Sequence, residues 1–511
     1  MLCAIFLTLQ AATMDYGTSL NNHPTVSGAV SRPPPAGALD RQTVIGQSTE
    51  QETPARWSMR FRLYSVEADE MMNVMALARM RPAELSFDPH YYQYGGAYLY
   101  PLGGWLFALQ KTGVLRLGSL DDMLADPDRM DRVYGAGRLF VTLAFAASGL
   151  ILWATLRRLG VAPRRAALAL AIYLAAPASL YFSSVMKPHW YSLLWSNLAL
   201  YCMVRLNHEA SWRWLIGLGV ALGLTVGSVL TNGVFALLAG AGLLALVWRR
   251  RLPVWALVAV VVLAGAVAAA FNPYMLLNWT AFRAEAEIGA GWFNQAPTAA
   301  LLWDFVAHSL VSGFGVALPV AVIAVIVTQR WGLAAAGLAF PIVVIGSITA
   351  AIATWHDNAR YVPYWLSLAV LVLAMNKGRA SGAILAVTCA LTLVQAVPTK
   401  MAQADTDSPA HSTRLRAAAW VEANVPHGSA LCLGTRSPAP FDAPPLAFAD
   451  YRINDPQCRF MVVTERDPTD AVPDGWSVAA RFSPRLGLTV PVQTVFGHTN
   501  PRISIYEHSG S

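Results

Sequence analysis

Two neighbouring carboxylates, Asp69 and Glu70, are residue types that could do acid–base chemistry, and they lie in the stretch SVEADEMMNVMALARM at residues 65–80. The aromatic and glycine-rich stretch FDPHYYQYGGAYLYPLGGW follows at residues 87–105. A correctly placed carboxylate can accept the proton of a substrate hydroxyl. The same pair could also be two solvated acids at the start of a helix, where the helix dipole favours negative charge.

Basic residues that could stabilise a negative charge stand where later apolar runs begin. Lys187 and His189 flank a proline, and Arg360 opens the run RYVPYW. A plainer explanation exists for two of them. Lys187 could extend its amine to the membrane interface, and Arg360 could anchor its helix there.

Other acids in the chain are also candidates for chemistry. Glu285 and Glu287 are expected to be exposed on a helix within a loop. A cluster of aspartates could offer oxygen ligands to a divalent ion, although its DPD stretch resembles a metal-binding pair only weakly. Its members are Asp121, Asp122, Asp126, Asp128 and Asp131. We predict no metal and no other cofactor.

The elements that must position these residues are membrane helices. The chain has 511 residues, of which 55% are hydrophobic and only 13% are charged, and its mean hydropathy is +0.42. A soluble globular protein usually has about 25% charged residues, so the composition indicates an integral membrane protein. The formal net charge of +7 is then explained by membrane topology rather than by nucleic-acid binding.

Ten apolar runs are candidates for crossing a bilayer, which takes roughly 20 residues. They are 134–156, 166–184, 189–206, 213–231, 233–248, 253–271, 306–328, 332–353, 361–376 and 380–397. Every second connection is rich in Arg or Lys, and the positive-inside rule places those connections in the cytoplasm. The carboxylate pair and the basic candidates then fall on the extracytoplasmic side.

Four regions follow from this topology: 1–58, 59–133, 134–397 and 398–511. The first contains a disordered tether, and either residues 1–13 form a degenerate first span or the natural membrane anchor begins elsewhere. The second is the first extracytoplasmic loop, in which residues 98–118 are interpreted as one or two helices lying at the membrane interface, where Tyr and Trp are preferred. The third is the transmembrane core.

The tail from residue 398 onward differs in kind from the core. Residues 412–428 read as a helix ended by Pro-His-Gly, and ALCLG, FMVVTE and ISIYE read as short strands. This pattern predicts a small extracytoplasmic α/β domain. Cys432 and Cys458 both lie in it, and we hypothesise a disulfide between them because that compartment is oxidising.

The order of the motifs resembles one enzyme class. After the DE pair and the aromatic stretch come four further stretches: GAGRLFVTLAFAASGLILWATLRRLG, SSVMKPHWYSLLWSNLALYCMVRL, FNPYMLLNWTAFRAEAEIGAGWF and ARYVPYWLSLAVLVLA. Collinear over roughly residues 60–511, they resemble the GT-C glycosyltransferases. The similarity is to bacterial relatives of dolichyl-phosphate-mannose protein mannosyltransferases and of the lipid A aminoarabinose transferase.

The resemblance implies a GT-C fold and an inverting transfer of a sugar from a polyprenyl-phosphate donor to an acceptor hydroxyl. It implies that Asp69 is the general base and that Glu70 assists or positions it. It also implies cationic contacts to the donor phosphate from Lys187, His189, Arg360 and Arg138. Tyr91, Tyr92 and Tyr94 would form a platform for the sugar or the lipid.

The resemblance further implies a bacterial plasma membrane, with the active site outside it and a glycolipid, a polysaccharide or a protein as acceptor. Relatives of the aminoarabinose type have a lysine before the prolines of the interfacial segment. This chain has YQYGGAYLYPLGG there, so its phosphate contacts must come from elsewhere.

Two further classes of function compete with a transferase. A transporter or lipid flippase would also have about a dozen spans, but it should carry ionisable residues at mid-membrane or broken helices in matching halves. Here the spans are nearly free of charge and the acids stand in the outer loops. A non-catalytic subunit of a cell-envelope glycan assembly system is the third class.

Overall fold

The computed structural model divides the chain into two compact units. The residues it describes are 1–18, 62–292, 298–304, 311–327, 360, 363–376, 380–434, 443–465, 472, 474–485 and 500–508. The helical unit comprises Met1–Ala11, Ala76–Trp105 and Arg138–Val397. The sheet-bearing unit comprises Ala12–Met75, Leu106–Gly137 and Pro398–Ser511. Each unit is therefore assembled from three separate stretches of sequence.

Long apolar helices make this a multi-span membrane protein. Among the described residues, four helices are long and apolar enough to cross a bilayer: Asp128–Arg158, Leu230–Trp248, Val254–Phe271 and Ser381–Asp405. Shorter apolar helices are Leu2–Ala11, Trp212–Ser228 and Tyr364–Met375. The predicted runs 134–156, 213–231, 233–248, 253–271, 361–376 and 380–397 each coincide with one of these helices. The predicted α-helical, multi-span class is confirmed.

Three predicted spans are interrupted, and the prediction of continuous helices there was wrong. The run 166–184 consists of the helices Pro163–Ala175 and Pro177–Phe182, and the run 189–206 consists of Pro188–Tyr191 and Leu193–His208. Pro177 has no N–H to donate and its ring clashes with a preceding helical turn, so Ala176 adopts an extended ψ of 140°. The run 306–328 contains the helices Ser312–Phe314 and Ala317–Val327, and the run 332–353 lies outside the described residues.

A stripe of glycines brings two of these helices close together. Gly219, Gly223 and Gly227 recur every fourth residue along the helix Trp212–Ser228, so they share one face. A methyl group at Gly219 would collide with Leu263, and one at Gly223 with Val267, both on the helix Val254–Phe271. Small residues allow membrane helices to approach closely enough for dispersion contacts to hold them together.

Arg165 caps the end of a distant helix. The guanidinium donates hydrogen bonds to the carbonyl oxygens of Leu373 (3.2 Å), Ala374 (3.2 Å) and Asn376 (2.7 Å), and to the hydroxyl of Ser381 (2.9 Å). The last carbonyls of a helix have no intrahelical donor, and these belong to the end of the helix Tyr364–Met375. A residue that the sequence marks only as a topology signal thus also terminates a helix.

Shorter helices precede the first long one. They are Ala68–Arg79, Gly96–Lys111, Leu120–Ala125 and the 3₁₀ turn Pro82–Glu84. The predicted interfacial helix corresponds to Gly96–Lys111, whose 16 residues span about 24 Å, less than the ~30 Å hydrocarbon core. Its place at the interface stays a prediction. Most of the predicted tether, residues 19–58, lies outside the described residues.

The remaining helices lie later in the chain. Pro273–Leu277 and Trp279–Trp292 follow the helix Val254–Phe271 directly, and Ala299–Asp304 comes next. The helix Thr413–Asn424 begins the C-terminal domain, where the hydroxyl of Ser412 accepts a hydrogen bond from the amide of Leu415 at 3.3 Å. This N-cap satisfies a donor that the first helical turn leaves without an intrahelical partner.

The C-terminal domain contains a five-stranded mixed sheet in the order β2-β1-β3-β5-β4. The strands are β1 Ala430–Leu433, β2 Arg452–Ile453, β3 Phe460–Glu465, β4 Trp476–Phe482 and β5 Arg502–His508. β1 pairs in parallel with β2 and β3, and β5 pairs antiparallel with β3 and β4. The predicted helix and the three predicted strands are confirmed, whereas β2 and β4 were missed.

A disulfide joins Cys432 and Cys458, whose Cα atoms are 5.7 Å apart. The bond links β1 to the turn immediately before β3, and β1 and β3 are neighbours in the sheet. The hypothesis drawn from the sequence is confirmed.

Candidate active site

The carboxylate pair opens the helix Ala68–Arg79, and its two members have different surroundings. Asp69 is half-buried in the first turn, where the helix dipole favours a negative charge. Glu70 is fully buried and accepts a hydrogen bond from the hydroxyl of Ser65 at 2.6 Å. The side-chain amide of Asn73 donates to the backbone carbonyl of Asp69 at 3.1 Å. Of the two carboxylates, Asp69 is therefore the more accessible.

The three tyrosines of the predicted platform lie on a segment without helix or strand, residues 87–95, which we call the aromatic segment. Tyr91, Tyr92 and Tyr94 are only 5%, 5% and 6% exposed. The rings of Tyr91 and Tyr94 meet edge to face, with centroids 5.4 Å apart. Tyr94 also meets His189 edge to face, with ring centroids 5.9 Å apart. The structure thus joins a platform residue to a predicted phosphate ligand.

Lys187 and His189 lie in a buried turn at the start of the helix Pro188–Tyr191. Lys187 has an extended backbone (φ −133°, ψ 149°), as a residue before proline usually does. Its side chain is buried, as is that of His189. The hydroxyl of Ser192 (2.8 Å) and the amide of Asn232 (3.3 Å) donate to the backbone carbonyl of His189. Hydrogen bonds from two further residues therefore hold this turn.

Arg138 lies on the helix Asp128–Arg158 and is fully buried. The hydroxyl of Thr142 lies 2.9 Å from the carbonyl of Arg138 and 2.8 Å from that of Ser183, so it links this helical turn to the turn that leads to Lys187. Arg360 is half-buried, and the residues on both sides of it lie outside the described part of the chain. Arg138, Lys187, His189 and Arg360 all belong to the helical unit, whereas Asp69 and Glu70 belong to the sheet-bearing unit.

A polar network that the sequence analysis missed surrounds Asp88, which is 6% exposed. The amide nitrogen of His90 donates to its carboxylate at 2.9 Å, and the hydroxyl of Tyr92 lies 3.2 and 3.3 Å from its two oxygens. The side-chain amide of Asn278 donates both to Asp88 and, at 3.2 Å, to the hydroxyl of Tyr92. Burial is the main cause that raises the pKa of Tyr92. The tyrosine is therefore a neutral member of the network near pH 7.

Glu285 is part of the same region, and the expectation that it is an exposed acid was wrong. Its carboxylate accepts a hydrogen bond from the backbone N–H of Tyr92 at 2.8 Å and another from that of Gln93. Burial raises the pKa of Glu285, while these two amides and the charge of Arg79 act in the opposite direction. By contrast, Glu287 is exposed, as expected, and pairs with Arg283 at 2.7 Å. A helix places residues two positions apart on different faces, so Glu285 and Glu287 have different environments.

Two aspartates of the cluster at 121–131, Asp122 and Asp126, have partners within this short stretch of the chain. Asp122 and Ser119 form a capping box, and the Ser119 amide is the main cause that lowers the pKa of Asp122. Asp126 pairs with Arg129 at 3.1 Å. Within the described part of the chain, no group of three or more His, Cys, Asp or Glu side chains is placed to hold a metal ion.

Comparison with known proteins locates the family resemblance in the middle of the chain. Residues 98–288 match the dolichyl-phosphate-mannose-protein mannosyltransferase family. The resemblance to GT-C glycosyltransferases is confirmed for this region, which contains Arg138, Lys187, His189 and Glu285.

No curated protein matches the chain. Among solved structures, the chain is similar to the crystal structure of ArnT from Cupriavidus metallidurans bound to undecaprenyl phosphate. The two are 12% identical, with a TM-score of 0.42, and the alignment covers 81% of this chain and 88% of that one.

Proposed function

We propose that this chain is a membrane glycosyltransferase that moves a sugar from a polyprenyl-phosphate donor to an acceptor hydroxyl. The observation that carries the proposal is the match of residues 98–288 to a family whose name specifies a dolichyl-phosphate sugar. Dolichyl phosphate is a polyprenyl phosphate, so the donor class follows from the family. The experiment described below identifies the donor sugar, hexose or pentose, and the acceptor.

The proposed reaction is a single inverting displacement. The acceptor oxygen bonds to the anomeric carbon, the bond from that carbon to the phosphate oxygen breaks, and the polyprenyl phosphate leaves with the electron pair. Asp69 takes the acceptor's proton as the bond forms. Its half-exposed position at a helix start supports this assignment, while the buried Glu70, held by Ser65, supports a positioning role.

The leaving phosphate is assigned to Lys187, His189, Arg138 and Arg360. Cations held away from water stabilise a developing negative charge more strongly than exposed ones do. Lys187, His189 and Arg138 are buried and Arg360 is half-buried. The edge-to-face contact between Tyr94 and His189 supports a donor sugar bound beside the phosphate. Tyr91 completes that platform, and Tyr92 supports it from the network with Asp88.

The site is proposed to face the extracytoplasmic side of a bacterial plasma membrane. The support is the alternation of basic and acidic connections along the sequence. Cysteine accessibility in intact cells tests it, because a cysteine placed at exposed Arg283 should react with a membrane-impermeant reagent, and one at exposed Arg164 should not. The reverse labelling pattern would overturn the orientation.

Asp69→Asn tests the catalytic assignment. The variant, the wild type and the control Glu287→Gln are purified in nanodiscs and given a panel of polyprenyl-phosphate hexoses and pentoses, each with a glycolipid, a polysaccharide or a protein as acceptor. We expect polyprenyl phosphate release to fall by about 10²-fold or more in Asp69→Asn and to stay unchanged in the control. Wild-type rates in Asp69→Asn would exclude it as the base. No release by the wild type with any donor would favour a transporter or a non-catalytic subunit.

A further inference from the structure

Four side chains of the region 273–292 form a stripe against the aromatic segment. Tyr274, Asn278, Phe282 and Glu285, which we call the anchoring stripe, are spaced by four, four and three residues along the consecutive helices Pro273–Leu277 and Trp279–Trp292. Asn278 joins the two helices, and Phe282 and Glu285, three residues apart, share one face of the second helix. The exposed Glu287 lies off that face.

Each member of the anchoring stripe contacts the aromatic segment. The hydroxyl of Tyr274 accepts from the amide of Phe87 at 3.2 Å, and Asn278 donates to Asp88 and to the hydroxyl of Tyr92. The ring of Phe282 meets that of Tyr92 edge to face, with centroids 6.3 Å apart. Glu285 accepts from two successive amides, as described above. The contacts cover residues 87 to 93.

The aromatic segment depends on such contacts because it has neither a helix nor a sheet ladder of its own. Tyr92 is buried, and a buried backbone N–H must find an acceptor within the protein. The N–H of Tyr92, together with those of Phe87 and Gln93, finds its acceptor on the anchoring stripe. Tyr94 follows Gln93 by one residue and contacts His189. The Glu285 carboxylate thus holds the backbone amides of the two residues that immediately precede Tyr94.

We propose that Glu285 is a positioning residue, which holds the backbone of Tyr92 and Gln93 so that Tyr94 stays against His189 in the donor site. This rests on the proposed function, in which Tyr94 and His189 contact the donor. In this proposal Glu285 acts only through the backbone of Tyr92 and Gln93 and is given no contact with the reacting atoms or the phosphate. Its removal should therefore weaken donor binding and leave acceptor binding unchanged.

The test compares Glu285→Ala, Glu285→Gln and the control Glu287→Ala in the full chain. Hydrogen exchange of the backbone amides of residues 91–95 can be measured without enzymatic activity, and it reports directly on whether Glu285 holds these amides by hydrogen bonds. We expect at least tenfold faster exchange in Glu285→Ala, because hydrogen bonds to a charged acceptor are lost. Glu285→Gln, whose carbonyl oxygen still accepts an N–H, should stay within about threefold of the wild type. Glu287→Ala should match the wild type.

Transfer kinetics form the second readout. In Glu285→Ala the donor KM should rise about tenfold and the acceptor KM should stay constant, and Glu285→Gln should restore most of the donor KM. A lower kcat with both KM values unchanged would indicate a merely structural role and would overturn the proposal. Unchanged exchange in Glu285→Ala would also overturn it.

The two proposals fail in different ways. If the wild type transfers no sugar, the proposed function fails, and the exchange measurement alone then decides whether Glu285 holds the aromatic segment. If the wild type is active but Glu285→Ala retains the wild-type donor KM, the proposed function stands and the positioning role is excluded.

Discussion

Adding one methyl group at Gly95, the last residue of the aromatic segment, should disrupt the packing of this segment against Gly227 and destabilise the protein. A Cβ at this position would collide with the backbone carbonyl of Gly227, which cannot rotate away as a flexible side chain could. The amide of Gly95 donates to the carbonyl of Ser228 at 2.9 Å, and that of Gly96 donates to the side chain of Asn272 at 2.8 Å. To admit the methyl group, the segment must shift and lengthen both hydrogen bonds.

The cost of Gly95→Ala can be worked from these contacts. Overpacking of a close-packed site costs about 1–3 kcal/mol, and two hydrogen bonds contribute about 0.5–1.5 kcal/mol each. The sum is ~2–6 kcal/mol. For a chain of 511 residues a loss of 1 kcal/mol lowers the melting temperature by ~1 °C, so the melting temperature should fall by about 2–6 °C.

Gly104→Ala is the matched control, because it lies in the helix Gly96–Lys111 with nothing within 4 Å of an added Cβ. There alanine should raise stability by up to ~1 kcal/mol through its better helix propensity. Thermal unfolding of the purified protein in detergent, followed by tryptophan fluorescence, compares the two variants with the wild type. Equal melting temperatures for Gly95→Ala and Gly104→Ala would refute the reasoning.

Three further predictions concern a helix cap, the disulfide and one acid. Arg165→Ala should destabilise the protein by about 2 kcal/mol, since the capping bonds to the helix end are lost, and exposed Arg164→Ala should not; equal melting temperatures would contradict the capping role. Cys432→Ala should destabilise the C-terminal domain by ~3.5 kcal/mol, given a separation of 26 residues, and limited proteolysis should then cut this domain first; unchanged proteolysis would argue against it. Because burial raises the pKa of Glu285 above 4.5, the folded state holds its proton more tightly than the unfolded chain does. This contribution to the free energy of unfolding is fully present below the pKa of Glu285 in the unfolded chain, and it is lost as pH rises through the pKa in the folded protein. Over that pH range the wild type should lose stability relative to Glu285→Gln. A melting-temperature difference between the two proteins that does not change with pH would disprove the shift.

Local patterns predicted much of the fold. The helix Thr413–Asn424 and the strands β1, β3 and β5 lie where their patterns indicated, because periodicity and stop signals are properties of neighbouring residues. The break at Ala176 shows the limit of hydropathy. The length of an apolar run reflects only the hydropathy of its residues. Pro177 interrupts the helix while leaving the mean hydropathy of the run almost unchanged.

In the candidate site, too, the sequence predicted some residues, whereas only the structure revealed their contacts. The acids at 69 and 70 and the basic residues near 187 could be found from residue type and from their place between apolar runs. The anchoring stripe carries a local signal as well, since Tyr274, Asn278, Phe282 and Glu285 recur at helical spacing. What they contact has no such signal, because Phe87 and Tyr274 are 187 residues apart, and Asp88 and Asn278 are 190 apart.

The amino-acid sequence by itself determined that this is a membrane protein with several helical spans, a small C-terminal domain and candidate chemistry in the connections between spans. Composition and apolar run length suffice for that, because transfer into the bilayer depends on each segment's own residues. Only the tertiary structure decided that Glu285 is half-buried against the aromatic segment while Glu287, two residues away, is exposed. The reason is that the Glu285 carboxylate finds the amide of Tyr92, 193 residues earlier in the chain, and folding alone brings those atoms within hydrogen-bond distance.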